Sequence, residues 1–323
     1  MTFMLALTWA SLSFLLTYFL MPLGIKLLKS RGWTGVDVHK PVRVECAESG
    51  GLIILLALSL SFLLMFLAGF LDRPGVGACL TIVSAGLVGF LDDMFTLRQR
   101  NKVLLMMLAG LPLALCYAGA GSIRLPLVGS MELGAFYYML AIIMAVNVAS
   151  NLTNMLAGFN GLEAGFAAVA CCFLSIVSLT RGEWSAAFIS LASLGALLAF
   201  LRYNWYPAKV FPGDSGTLMF GAIIASAAVL GGEEFLAVSL MIPAVFDFVL
   251  KMQHGKPFAQ RRIYGDTRVN EAGVLSPPGY AAFSHAFMKV VPTSERRLVL
   301  LILLSEALIG VLALIMMLLL GGW

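Results

Sequence analysis

The chain has 323 residues, 60% of them hydrophobic and only 12% charged, with a formal net charge of +4 and a mean hydropathy of +0.95. Soluble domains carry about 25% charged residues, so this composition excludes an ordinary soluble enzyme and places the chain in a lipid bilayer. The apolar runs are long and show no alternation of period two, which argues against a β-barrel and predicts an all-α, polytopic bundle.

Runs measured against a span of roughly 20 residues predict about ten membrane helices. They cover residues 3–27, 50–70, 76–92, 102–120, 134–151, 161–180, 184–203, 214–231, 234–252 and 297–320. Met1 to Leu20 contains no basic residue, so the first run lacks the charged start of a signal peptide and is expected to be a retained span. With ten spans, only Arg73, Arg124 and Arg181 fall on one side, which leaves 21 − 3 = 18 basic residues on the other. The positive-inside rule makes the richer side cytoplasmic and puts both termini outside. No separate soluble domain stands out, and residues 1–323 read as one integral membrane domain. The longest polar stretch, 253–296, is a cytoplasmic loop interrupted by the turn Ser276–Gly279. The five cysteines form no CxxC pair and read as buried, reduced thiols.

Four polar clusters then follow in chain order, all at the predicted cytoplasmic ends of spans. Residues 87–102, LVGFLDDMFTLRQRNK, place Asp92 and Asp93 at the end of an apolar run, with Arg98, Arg100 and Lys102 after them. Adjacent carboxylates disfavour each other's ionised form, so a cation is their expected companion. Residues 151–165, NLTNMLAGFNGLEAG, carry Asn151 and Asn154 three apart, on one face if helical. An amide oxygen beside a carboxylate suits Mg²⁺, whose shell is commonly completed by substrate phosphates. The glycines of LAGFNG allow backbone to approach a ligand. Residues 203–216, YNWYPAKVFPGDSG, open an apolar helix. GDSG there is not a protease signature, because no β-barrel scaffold poises a His and an Asp around it. A helix N-terminus favours anions, so Asp214 is expected to hold a metal beside bound phosphates. Residues 251–262, KMQHGKPFAQRR, surround His254 with Lys251, Lys256, Arg261 and Arg262, either an anion clamp or an ordinary basic loop.

These four pieces, in this order and spread over most of the chain, resemble the polyprenyl-phosphate N-acetylhexosamine-1-phosphate transferases. ASNLTNMLAGFNGLEAG and YNWYPAKVF are closest to the archaeal and eukaryotic branch that acts on UDP-GlcNAc and dolichyl phosphate, and the compact loop points to an archaeal member. The resemblance implies that a polyprenyl phosphate attacks the β-phosphate of a UDP-sugar, releasing UMP, as a first membrane step of glycan assembly such as protein N-glycosylation. It implies Mg²⁺, with Mn²⁺ as a substitute, held by Asn154 and Asp214. Asp92, Asp93, Lys102 and His254 would serve catalysis and the lipid phosphate. Asn151, Gly158, Asn160, Phe211, Lys256, Arg261 and Arg262 would bind the donor, with Phe211 stacked on uracil. A homodimer is expected by family analogy only, and no nucleic-acid partner is expected.

The chain departs from that pattern at two places. Thr96 and Gln99 are unlike the eukaryotic pattern at the acceptor site, whereas Ala157 and Asn160, where bacterial members usually carry aspartates, agree with the archaeal and eukaryotic branch. Gln253-His254-Gly255-Lys256 lacks two arginines expected of the dolichyl branch, which Arg261, Arg262 or Arg268 would have to replace. UDP-GlcNAc is therefore the first choice of donor and another UDP-N-acetylhexosamine the second. A secondary transporter is the alternative of a different class, although no inverted repeat is visible.

Overall fold

The computed structural model describes residues 2–40, 44–117, 122–125, 129–132, 134, 136–253, 267–279 and 281–320. The helices are α1 Thr2–Ser30, α2 Gly51–Leu67, α3 Arg73–Phe95, α4 Gln99–Ala109, α5 Leu111–Cys116, α6 Ile142–Leu156, α7 Leu162–Arg181, α8 Trp184–Asn204, α9 Gly213–Gly231, α10 Glu234–Leu240, α11 Ile242–Met252, α12 Phe283–Val290 and α13 Glu295–Leu319. Among the described residues, three short antiparallel pairs of strands punctuate them: β1 Thr34–Asp37 with β2 Val44–Ala47, β3 Ser122–Leu125 with β4 Gly129–Glu132, and β5 Arg268–Val269 with β6 Leu275–Ser276.

Each of the ten predicted runs contains helix, but the runs are not equivalent. Among the described residues, seven helices are long and apolar enough to cross a membrane: α1, α3, α6 with the π-turn before it, α7, α8, α9 and α13. An eighth results if α10 and α11, bent by 51° at Met241, count as one span. The other two runs fall short for visible reasons. Run 50–70 yields the 17-residue α2. Run 102–120 breaks at Gly110, where Pro112 enters the first turn of α5 and cannot donate to the preceding turn. Pro243 does the same at the start of α11, behind the bend.

The centre of the bundle is α9, buried over nearly its whole length and packed against α3, α6, α7 and α8. Between helices in lipid there is little hydrophobic drive, so close backbone approach by small residues carries the packing. A Cβ at Gly89 of α3 would lie 2.2 Å from the Asp214 carbonyl oxygen, and one at Gly221 of α9 would lie 2.4 Å from the Ala149 carbonyl oxygen of α6. The first contact brings the end of α3 against the start of α9, and the second packs the middle of α6 against the middle of α9. A single buried apolar cluster runs from Ala6 to Met317 around them.

At the far end of α9 the chain turns at Gly232, φ +60°, into Glu233. The Glu233 side chain is buried, and its Oε1 accepts from Ser178 Oγ at 2.6 Å. Arg181 donates to the carbonyls of Gly231 at 3.2 Å and Gly232 at 3.0 Å, closing the same corner. Burial pushes the Glu233 carboxyl from 4.5 up to about 8, with the Ser178 bond and Arg181 acting in the opposite sense. The folded state thus keeps a proton that the unfolded chain has lost, so this group's contribution to stability falls as pH rises from 4.5 toward 8. Glu233→Gln, which keeps an acceptor for Ser178, is expected to flatten that fall. Melting of the detergent-solubilised protein at about pH 6 and about pH 9 checks it: the wild type loses more melting temperature between the two than the variant does.

Candidate active site

The ends of α3, α4, α6 and α9 converge on one charged cluster. Thr96, with φ +48°, reverses the chain after α3, so the first turn of α4 folds back over it. This brings Lys102, itself buried, against Asp92: Nζ lies 2.8 Å from Asp92 Oδ2 and 3.3 Å from Asp214 Oδ2. The other Asp92 oxygen accepts from the Leu97 backbone at 2.7 Å. Asn154, in the last turn of α6, completes the cluster. Its amide pairs every donor with an acceptor when Nδ2 gives to Asp214 Oδ1 at 3.0 Å and to Thr217 Oγ1 at 3.1 Å while Oδ1 accepts from Lys102 Nζ.

Asp93 plays a different part. Its two oxygens accept from the backbone N–H groups of Asp214 at 2.7 Å and Ser215 at 3.2 Å. The first amides of a helix have no partner within the helix, and here a neighbouring carboxylate supplies it. The helix N-terminus expected to receive a phosphate is met by the protein's own anion.

A cleft of about 910 Å³ opens above the cluster. Asp92, Asp93, Asn154 and Asp214 form its floor, and Gly158, Asn160 and Phe211 line its walls. Phe211 is fixed by backbone: its N–H donates to Ala47 at 2.8 Å and its carbonyl accepts from Gly50 at 2.8 Å, an edge added to β2. Gly158 has φ +148°, which a side chain would disfavour, and its N–H donates to Glu163 Oε1 at 2.9 Å. The glycine-rich turn between α6 and α7 is held in this way, with the His39 ring stacked on Phe159 at 4.7 Å.

Not every expected residue joins the cleft. Asn151 shares α6 with Asn154 but turns back on Asn147, donating to its carbonyl at 2.9 Å and its Oδ1 at 2.7 Å. Lys251, read from sequence as part of a basic loop, is buried. It pairs with Asp247 at 2.5 Å and donates to the Met155 carbonyl at 2.6 Å. Asp247 in turn accepts from the first amide of α12, Phe283, at 2.9 Å, which ties the region after α11 to the end of α6. His254, Lys256, Arg261 and Arg262 lie outside the described residues.

Sequence reasoning missed several cleft residues. Glu48, Glu163, Asp37 and His39 all line it. Burial, and then the charge of Asp93, pushes the Glu48 carboxyl above its usual range. The Asp247–Lys251 pair had a usable signal, an acid four residues before a lysine inside an apolar run. Glu48 and Asp37 had none, because each sits in a short polar connection.

Residues 76–232 match the profile of glycosyl transferase family 4. A protein of Saccharolobus solfataricus, provisionally named UDP-N-acetylglucosamine–dolichyl-phosphate N-acetylglucosaminephosphotransferase, is 31% identical over 94% of both chains. The chain belongs to glycosyl transferase family 4. This family 4 protein is an enzyme, a phosphotransferase. It is also 32% identical to a provisionally named glycosyltransferase of Methanocaldococcus jannaschii, over 82% of this chain and 81% of that one. A phospho-N-acetylmuramoyl-pentapeptide-transferase of Streptococcus pneumoniae is 30% identical, over 83% of this chain and 88% of its own.

Two variants test the geometry of this family 4 site. Gly89→Ala forces α3 away from α9 and is expected to lower both melting temperature and turnover, because Asp92 and Asp214 then part. Asp93→Ala leaves two amides of α9 unsatisfied and is expected to cost about 0.5–2 kcal/mol, the range for a lost N-terminal cap. Chemical denaturation in detergent measures it, and an unchanged midpoint would show that the cap carries no weight.

Proposed function

We propose that the enzyme transfers N-acetylglucosamine 1-phosphate from UDP-N-acetylglucosamine to a polyprenyl phosphate of the dolichyl type, forming a lipid-linked sugar diphosphate and UMP. One observation carries this reading: three carboxylates and an amide from three helix ends, backed by the buried Lys102 of a fourth, form the floor of a cleft of about 910 Å³. The names of the relatives in Saccharolobus solfataricus and Streptococcus pneumoniae agree with it. Ten helices crossing the membrane, with both termini outside and the cleft facing the cytoplasm, belong to the same proposal and rest on the distribution of basic residues.

The donor set suits a divalent cation. Asp92, Asp93 and Asp214 bring three formal negative charges into a largely buried region, and Lys102 balances one. Mostly buried carboxylates are costly without a compensating charge, and carboxylate with amide oxygen is the chemistry of Mg²⁺. Asp214 would hold it, joined by Asn154 once its amide oxygen exchanges Lys102 for the ion, and the bound ion would supply neutralisation of the diphosphate.

The chain's own groups account for the remaining chemistry. A phosphate monoester has its second pKa near ~6, so the acceptor arrives largely dianionic and needs little deprotonation. Phosphoryl transfer then asks chiefly for alignment and charge neutralisation. Lys102, oriented by Asp92, faces the acceptor phosphate. An acceptor oxygen bonds to the β-phosphorus, the bond to the bridging oxygen breaks, and that oxygen leaves with UMP. Asp93 keeps α9, and therefore Asp214, in register. Phe211 offers a ring to the base, and Gly158 offers close backbone to the nucleoside. Trapping a competent phosphoryl-aspartate would overthrow direct attack.

Purified protein supplied with UDP-N-acetylglucosamine, polyprenyl phosphate and Mg²⁺ is expected to release UMP, and chelation is expected to stop it. Asp214→Asn should lower turnover by about two orders of magnitude or more, since charge-neutralising groups carry most of the barrier reduction in such transfers. A panel of UDP-N-acetylhexosamines reports the donor. Uptake of a UDP-sugar into sealed vesicles with no UMP release would instead favour a transporter.

A further inference from the structure

The two residues that would hold the ion sit at opposite kinds of helix end. Asp214 is in the first turn of α9, and Asn154 is in the last turn of α6. A helix leaves donors without internal partners at its start and acceptors at its finish. At α9 the Asp93 carboxylate takes the free amides. At α6 the Lys251 ammonium does the complementary work and donates to the Met155 carbonyl at 2.6 Å. The chain leaves α6 at Ala157 with ψ 149°, so no left-handed residue folds back to close that end. An anion at a helix start and a cation at a helix finish both match the helix dipole.

Asp247 sets Lys251 in place. It lies four residues earlier on the same face of α11, 2.5 Å from the ammonium, and both side chains are buried. Asp247 Oδ1 also accepts from Phe283, the first residue of α12, at 2.9 Å. The pair thus ties α11 and α12 to the carbonyl of the residue after Asn154. A lone lysine there would be costly and would repel a cation, but the carboxylate cancels its charge. What the pair passes to Asn154 is therefore position rather than net charge. Position is what that amide needs, because Asp214, Thr217 and Lys102 all meet it at fixed points, and a frayed last turn would withdraw it from all three.

We propose that Asp247 and Lys251 are positioning residues for the cation site: they clamp the last turn of α6, so that the Asn154 amide stands beside Asp214 before an ion arrives. This rests on the divalent-cation reading given above. It goes beyond that reading by assigning part of the site's affinity to two residues that are not among those lining the cleft. Fixing a ligand in its bound place beforehand removes the cost of ordering it from the binding step.

Mn²⁺ titration of the full chain in detergent, followed by the paramagnetic signal of the free ion, tests the proposal without turnover. Lys251→Met alone would strand Asp247 as a buried charge, so it is combined with Asp247→Asn. The double variant removes both charges at once, and the asparagine oxygen still accepts from Phe283. It is expected to bind Mn²⁺ about tenfold more weakly than the wild type, within what one charge-assisted hydrogen bond carries. Turnover should need correspondingly more Mg²⁺ and recover at saturation. Asp72→Ala is the control. It removes the cap at the far end of α3, where Asp72 Oδ1 accepts from Gly75 at 2.9 Å, so it should lower the melting temperature and leave Mn²⁺ binding unchanged. Wild-type Mn²⁺ affinity in the double variant overturns the proposal, and so does equal weakening by Asp72→Ala. Hydrogen exchange on the wild type needs no variant: the amides of residues 153–156 should be as protected without Mg²⁺ as with it, and strong slowing on adding the ion overturns a turn fixed beforehand. Mn²⁺ binding with the expected loss, but no sugar-phosphate transfer, would fault the proposed reaction and spare the pair. A wild type that binds no Mn²⁺ would sink both the cation site and its positioning.

Discussion

The Lys102 ammonium holds the working end of this molecule together. It is buried, and it draws Asp92 of α3, Asp214 of α9 and the Asn154 amide of α6 to one point. A lone charge in that position would be strongly unfavourable, and so would the carboxylates without it. The helix ends must converge for any of these groups to be tolerated. That constraint makes the fold and the site one problem, because the groups that would neutralise a diphosphate are also those that neutralise each other.

The scaffold meets the constraint through close backbone approach. Gly89 and Gly221 let α3 and α6 touch α9 without side chains between them. Asp93 then satisfies the start of α9 from a neighbouring helix. One of two adjacent aspartates thus faces a lysine and the other a helix terminus, so identical residues acquire different work from their surroundings. The cleft walls are built differently. They are short irregular segments pinned by main-chain bonds, as at Phe211, or by ion pairs, as at Asn160. Rigid helices carry the charges of the floor, while turns and hairpin edges shape the part that would recognise a nucleotide. Asp247 and Lys251 link the two, joining the end of α6 to α11 and α12.

Membership of glycosyl transferase family 4 was legible in the order of DDMFTLRQRNK, NLTNMLAGFNG and VFPGDSG, and the relatives agree along most of the chain. Asn151 and Asn154 show where such legibility stops. Their spacing puts them on one helix, but only Asn154 reaches the cluster, because Asn147 one turn earlier captures Asn151. Asp37 and Glu48 were invisible for a related reason. A single acid in a short connection has no periodicity to mark it, and the groups that tie it to the cleft, Asn160 for Asp37 and Asp93 for Glu48, lie on other segments.

The amino-acid order alone determined that the chain lives in lipid, that its long apolar runs are helical, and that its polar groups collect at one set of helix ends. Hydrophobicity and charge are local properties, and each run declares them without reference to its neighbours. Only the tertiary structure decided which runs break, at Pro112 and Pro243, and which aspartate caps α9 rather than facing Lys102. These outcomes depend on distances between segments remote in sequence, and such distances exist only once the helices have packed.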